Sequence, residues 1–205
     1  RILDAEAEVA AMLEGAPDLM AMHPLEAEGP DEEIMLLEHA FFSTNPEAFV
    51  NVAEFGAWQD DQDQTAGYRY LERLLKFLQW QKKQRGEVAR RWVLKSPHHL
   101  GFMDLLFKVF PDARVMQTHR DPAQTIPSLA SLIQAIRAMG SDDADPHVTG
   151  QQWSDRMSRA MSRCMEVREK HQDQFIDVFF ADVLKDPLTE IRKSYEFAGW
   201  KLTDA

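Results

Sequence analysis

Residues 114–139 constrain the fold more than any other stretch, because a short apolar run passes without a linker into a helix. Arg114 to His119 follows the turn pair Pro111-Asp112 and has the length of a buried strand. Asp121 then offers an N-cap, and Pro122 takes the first helical position, where a missing N–H costs nothing. Ile126, Leu129, Leu132, Ile133 and Ile136 recur at helical spacing as far as Met139. Arg120 is thereby predicted at the carboxyl end of a strand, beside the positive end of a helix. Open α/β sheets bind ligands at that edge, and helix N-termini favour anions. Ser128 stands about two turns farther along the same helix.

The same unit occurs once more, just upstream. Arg91 to Lys95 reads as a strand, Ser96-Pro97 as a cap and first position, and His98 to Phe110 as a helix with Leu100, Met103, Leu106, Phe107 and Phe110 facing the core. A right-handed crossover makes the two strands parallel and brings Lys95 and Arg120 to one sheet edge. Ser-Pro and Asp-Pro are good helix starts in their own right. Their repetition, each time with a cation just before the cap, points to an anion site. Ile176 to Phe180 supplies a third strand, beta-branched and aromatic. The expected fold is therefore α/β, a mainly parallel sheet covered by helices on both faces.

Length, charge and cysteine usage narrow the class. The 205 residues suffice for one domain, and no apolar run approaches a membrane span. The net charge of −11 is uneven: residues 1–64 hold 16 Asp/Glu against Arg1 alone, whereas 65–205 hold 18 acidic and 22 basic residues. An acidic first third disfavours a nucleic-acid partner and reads as solvated helical surface. One cysteine, Cys164, excludes an internal disulfide and points to a reducing, cytoplasmic setting. Helices are expected over 2–13, 31–42, 46–55, 65–85, 153–172 and 187–198, an acidic loop over 58–64, another over 140–146, and Gly199 just past the last helix.

Lys95-Ser96-Pro97-His98-His99-Leu100, followed by Thr118-His119-Arg120-Asp121-Pro122 and a serine eight residues after the arginine, resembles the sulfotransferases that use 3′-phosphoadenosine 5′-phosphosulfate (PAPS). The likeness is strongest to the bacterial branch distantly similar to tyrosylprotein sulfotransferases. Met22-His23-Pro24, Pro30 to Glu33 and Ala181 to Pro187 match as well, so it covers most of the chain. The resemblance implies a P-loop-NTPase-like parallel sheet and PAPS as co-substrate without a metal. It implies Arg120 and Ser128 on the cofactor's 3′-phosphate, and Lys95 at the sulfuryl bridge. The Arg-Ser-Gly-Thr-Thr type of phosphosulfate loop does not occur, so residues 1–205 are expected to be a single partial domain, inactive alone.

The general base is open at this level. His98 has the family's separation from Arg120, whereas His99 fills the position usual in Lys-x-Pro-x-His segments. His23, Glu32 and Glu33 are further candidates on the acceptor side. Adjacent histidines point about 100° apart on a helix and chelate one metal poorly. The acceptor is expected to be a hydroxyl or amine on a small molecule or peptide. Neither Gly-x-x-x-x-Gly-Lys-Ser/Thr nor Gly-x-Gly-x-x-Gly occurs. The alternatives are a P-loop-type kinase or nucleotide-binding relative, and a non-catalytic helical module with an acidic docking face.

Overall fold

The structure, a computed structural model, describes residues 2–15, 26–88 and 91–203. Helices run α1 (Ile2–Gly15), α2 (Ile34–Glu38), α3 (Asn45–Phe49), α4 (Ala53–Asp60) and α5 (Thr65–Gln84). A 3₁₀ turn (Pro97–Gly101) leads into α6 (Met103–Val109), then β1 (Val115–His119), α7 (Pro122–Ala138) and α8 (Pro146–Arg168). A second 3₁₀ turn precedes β2 (Phe175–Phe179), α9 (Phe180–Lys185) and α10 (Pro187–Ala198). The chain is a helix-rich α/β fold with a small parallel sheet. Val115 pairs with Phe175 and His119 with Phe179. No described helix is long and apolar enough to cross a membrane.

Both predicted caps form as local chemistry dictates. Asp121 accepts from the Ala123 N–H at 2.9 Å with Pro122 at the first position. Ser96 accepts from the His98 N–H at 3.2 Å with Pro97 in the same role. Gly199, at φ 69°, closes α10 in the left-handed region that glycine enters without strain.

The predicted strand at 91–95 is not one. Residues 91–96 form no regular element and have no ladder partner, and the sheet has two strands among the described residues. Side chains hold this segment instead. Arg91 donates to the Ala198 carbonyl at 2.7 Å, and Trp92 packs on the Leu37, Leu71 and Leu75 cluster. Without a ladder, Val93 and Leu94 stay exposed, and Lys95 lies outside the sheet rather than on its edge.

Other boundaries shift for identifiable reasons. The helix expected over 31–42 keeps only one turn and a half, because Phe41 turns to φ 59°. The helix expected over 46–55 breaks at Val50, whose backbone is extended. The acidic loop expected at 58–64 is partly helix and partly a buried tie: Gln59 donates to the Phe41 and Ser43 carbonyls at 3.0 Å, and Gln64 donates to the Gln59 carbonyl at 3.0 Å. α8 begins at Pro146, two turns before Trp153, because Asp145 caps it through the His147 and Val148 N–H groups. The helix ends at Arg168 rather than at 172, and it buries Thr149, Trp153, Arg156 and Cys164.

The core is a chain of small clusters rather than one mass. Met103, Phe107, Cys164 and Phe175 seat α6 and α8 on β2. Ala48, Ile133 and Trp153 join α3, α7 and α8. Arg137, 3% exposed, locks the same corner by donating to the Glu47 carbonyl at 2.7 Å and to the Thr149 hydroxyl at 3.2 Å. Tyr68, Phe102 and Val109 join α5 to α6 and place the histidine-bearing turn against Tyr68.

Candidate functional site

Arg120 extends from the end of β1 as the sequence predicts. Its Nε donates to Gln124 Oε1 at 3.2 Å, and its guanidinium lies 4.9 Å from the centre of the Phe180 ring. It is exposed and has no acidic partner among the described residues, a cation held in place with its charge unspent. Gln124 and Ser128 follow at spacings of four, so Arg120, Gln124 and Ser128 share one exposed face over the first two turns of α7. The Ser128 hydroxyl makes no hydrogen bond among the described residues. Gln124 and Phe180 were not evident from sequence, since one is an ordinary helix surface residue and the other sits sixty residues on in α9.

Under Arg120 the strand end is braced. His119 Nε2 lies 2.6 Å from Asp177 Oδ1 on the paired strand, and its ring stacks on Phe179. Arg168 grips both oxygens of Asp177 at 2.6 Å and also donates to Gln117 Oε1 at 2.9 Å. The Arg168 hydrogen bonds, helped by His119, pull the Asp177 carboxyl down to about 2.

The second group of residues is buried and centred on His99. Its Nε2 is 2.7 Å from Glu33 Oε1, and its Nδ1 is 2.8 Å from the Tyr68 hydroxyl. Burial pushes the Glu33 carboxyl up, but the His99 contact and the backbone N–H groups of Glu33 and Lys95 outweigh it and hold it below the ordinary range. An ionised Glu33 can only accept, so His99 carries its proton on Nε2 and accepts from Tyr68 at Nδ1 when neutral. Burial raises the Tyr68 hydroxyl well above its usual value, so it remains a donor. Glu33 Oε2 also accepts from the Lys95 N–H at 2.9 Å, while the Lys95 ammonium pairs with Glu32. His23 lies outside the described residues.

His98 is the opposite case. It is 5% exposed, stacks 4.8 Å from the Phe102 ring, and neither ring nitrogen has a hydrogen-bond partner. Burial, with the neighbouring His99, drives its pKa down to about 3, so the ring is neutral at physiological pH. It lines a cavity of about 50 Å³ that Leu129 of α7 also lines. Leu129 is the residue after Ser128, so this cavity links the histidine turn to the helix that carries Ser128. The five residues singled out from sequence thus fall into an exposed cationic face (Arg120, Ser128) and a buried histidine turn (His98, His99), with Lys95 at the border of the second.

Residues 1–204 match the family model described as the sulfotransferase family. No curated protein matches the sequence. Among solved structures the chain is similar to the sulfotransferase STF9 from Mycobacterium avium, with a TM-score of 0.84 and 27% identity over 100% of this chain and 52% of that one. It is also similar to the sulfotransferase STF1 from Mycobacterium tuberculosis H37Rv, with a TM-score of 0.78 and 30% identity over 95% of this chain and 54% of that one. The chain spans about half the length of these two structures. Matched from end to end by the family model, and sharing its fold with two sulfotransferases, the chain belongs to the sulfotransferase family.

Proposed function

We propose that the protein transfers the sulfuryl group of PAPS to a hydroxyl or amine, with Arg120 and Ser128 reading the donor's 3′-phosphate. The observation that carries this reading is the state of Arg120: exposed, free of any carboxylate among the described residues, and held by Gln124 and Phe180. A guanidinium so held offers two charge-assisted donors to a phosphate with little ordering left to lose. Ser128 adds a free hydroxyl on the same face.

In the reaction, the acceptor oxygen or nitrogen bonds to sulfur while the bond from sulfur to the bridging oxygen breaks. Negative charge grows on that oxygen and leaves with 3′-phosphoadenosine 5′-phosphate (PAP). Lys95 is the cation for it, exchanging Glu32 for the bridging oxygen when the donor binds. A positive group already in place stabilises that charge without solvent reorganisation. The acceptor's proton goes to His98, which lines the cavity and has no hydrogen-bond partner on either ring nitrogen among the described residues, whereas both nitrogens of His99 are occupied. A base with a pKa of about 3 suffices here. Once bonded to sulfur, a hydroxyl oxygen is far more acidic than any imidazolium, so late proton transfer runs downhill. Glu33, His99 and Tyr68 form the fixed wall behind it.

The test is selectivity between nucleotides in the full-length protein. Replacing Arg120 by Ala should weaken PAP binding by roughly tenfold to 150-fold, the equivalent of about 1.5–3 kcal/mol for a lost charge-assisted bond. Binding of the analogue without the 3′-phosphate should barely change. Equal losses in calorimetry, or ADP binding as tightly as PAP, would remove the assignment.

A further inference from the structure

The cavity beside His98 is built for more than a hydroxyl. Arg156, Arg159 and Arg163 line it, three guanidiniums at spacings of three and four on one face of α8, where like charges repel. Arg156 is 6% exposed and engaged by Glu47 and by Asp60 at 2.9 Å. That leaves the other two loosely held: Arg159 is 3.9 Å from Asp60, and Arg163 makes one 3.5 Å bond to the Asp60 carbonyl. Two carboxylates face three guanidiniums, a surplus of one positive charge. Two further buried residues that line it carry polar atoms without hydrogen-bond partners among the described residues. The Trp153 indole N–H, on a residue 6% exposed, is unsatisfied, as is His98. Buried polar groups are ordinarily paired, and groups left open around one cavity mark a ligand that pairs them. Burial, with Arg159 and Arg163, lowers the Arg156 pKa to about 10, consistent with an electropositive enclosure short of one anion.

We propose that this cavity binds an oxyanion carried by the acceptor, so that the protein sulfates hydroxyl or amine compounds bearing a carboxylate, sulfate or phosphate group; the assignment to the acceptor rests on the sulfuryl-transfer reading above. Arg159, Arg163 and the Trp153 indole hold the anion, and His98 faces the group to be sulfated. Thr44 and Asp60 also line the cavity, and Phe102, Leu129 and Met157 add apolar surface suited to a short hydrocarbon stem between the two groups. An open groove of about 580 Å³ is also lined by Arg156 and Arg159, and it leaves room for the rest of the acceptor.

The indole N–H of Trp153 reports on the cavity directly. In the full-length protein its nitrogen-15 NMR signal, assigned with Trp153→Phe, is followed while hydroxyhexanoate, hexanediol, inorganic sulfate or PAP is added. Hydroxyhexanoate should give a saturable shift, hexanediol should bind at least tenfold more weakly, and sulfate should fall between them. The double variant Arg159→Gln/Arg163→Gln changes two exposed side chains and leaves Arg156 in place. It should lose at least tenfold in hydroxyhexanoate affinity with PAP binding unchanged. A signal that does not move, moves equally with hexanediol, or moves undiminished in the double variant would mean that the cavity holds water only. Sulfate binding more tightly than hydroxyhexanoate would make it a site for the free ion. Hydroxyhexanoate displacing PAP would give the cavity to the donor. If hydroxyhexanoate binds but PAP binds nowhere, the oxyanion site stands and its assignment to a sulfuryl acceptor falls.

Discussion

A histidine kept neutral by burial makes stability depend on pH in a window set by its own two pKa values. His98 sits near 3 in the folded chain against an ordinary value of about 6.5, a depressed pKa. Between those values the unfolded chain binds a proton that the native state refuses. Stability is therefore fully present above about pH 6.5 and lost as pH falls toward 3, by about 1.4 kcal/mol per pH unit. Glu33 and Asp177, both held below the ordinary carboxylate range, add to the loss only below about pH 4.5. His98→Phe keeps a ring to stack on Phe102 and removes the proton. Its urea midpoint should vary less between pH 6.5 and 4.5, the slope falling by about one proton. An unchanged slope would show that His98 titrates as an ordinary solvated residue, and its role as a neutral base would go with it.

Elements meet most tightly where side chains are smallest or most constrained. A Cβ on Gly56 of α4 would lie 2.6 Å from the Glu47 carboxyl carbon, and Glu47 is 4% exposed and paired with Arg156. Gly56→Ala should cost about 1–3 kcal/mol, the scale of overpacking, and loosen Arg156 with it. A urea midpoint within error of the parent would mean that α3 and α4 slide apart freely. No pattern in the sequence marks this contact, because it depends on how two short helices cross. What was legible is local: the Ser96-Pro97 and Asp121-Pro122 junctions, the apolar stripe of α5, and α10 with Gly199 behind it all follow from residues within a turn of each other. The strand at 91–95 failed because a strand is defined by its neighbour, and a short run before a helix cap cannot say whether one is there. The helices over 31–42 and 46–55 failed where Phe41 and Val50 leave helical backbone against their neighbours' propensity. At the site, Arg120 and Ser128 were legible as a spacing along one helix. Gln124, Phe180, Tyr68 and Asp177 were not, since each is recruited by the tertiary arrangement.

Across the whole molecule the charge asymmetry has a use that composition alone does not reveal. The acidic first third is not only solvated surface: Glu32, Glu33, Glu47 and Asp60 are the partners of Lys95, His99 and Arg156. Part of the basic remainder is thus paired across the fold, whereas Arg120 has no carboxylate partner among the described residues. This difference separates two roles in one measurement. A ligand at one hundred times its dissociation constant stabilises the native state by about 2.7 kcal/mol, which at 2–4 °C per kcal/mol is a rise of about 5–10 °C in melting temperature. PAP should produce that rise in the full-length protein, and Arg120→Ala should lose most of it at the same concentration. Lys95→Ala should keep most of it, because on the proposed mechanism the bridging oxygen that Lys95 meets gains its charge only in the transition state. Its kcat should nonetheless fall by roughly a hundredfold or more, the scale of removing one such stabilising group. Lys95→Arg should rescue poorly, since a planar fork does not replace a compact ammonium at one oxygen. A Lys95→Ala protein that loses the thermal shift yet transfers sulfuryl at the normal rate when saturated would make Lys95 a ground-state clamp and leave the bridging oxygen without its cation.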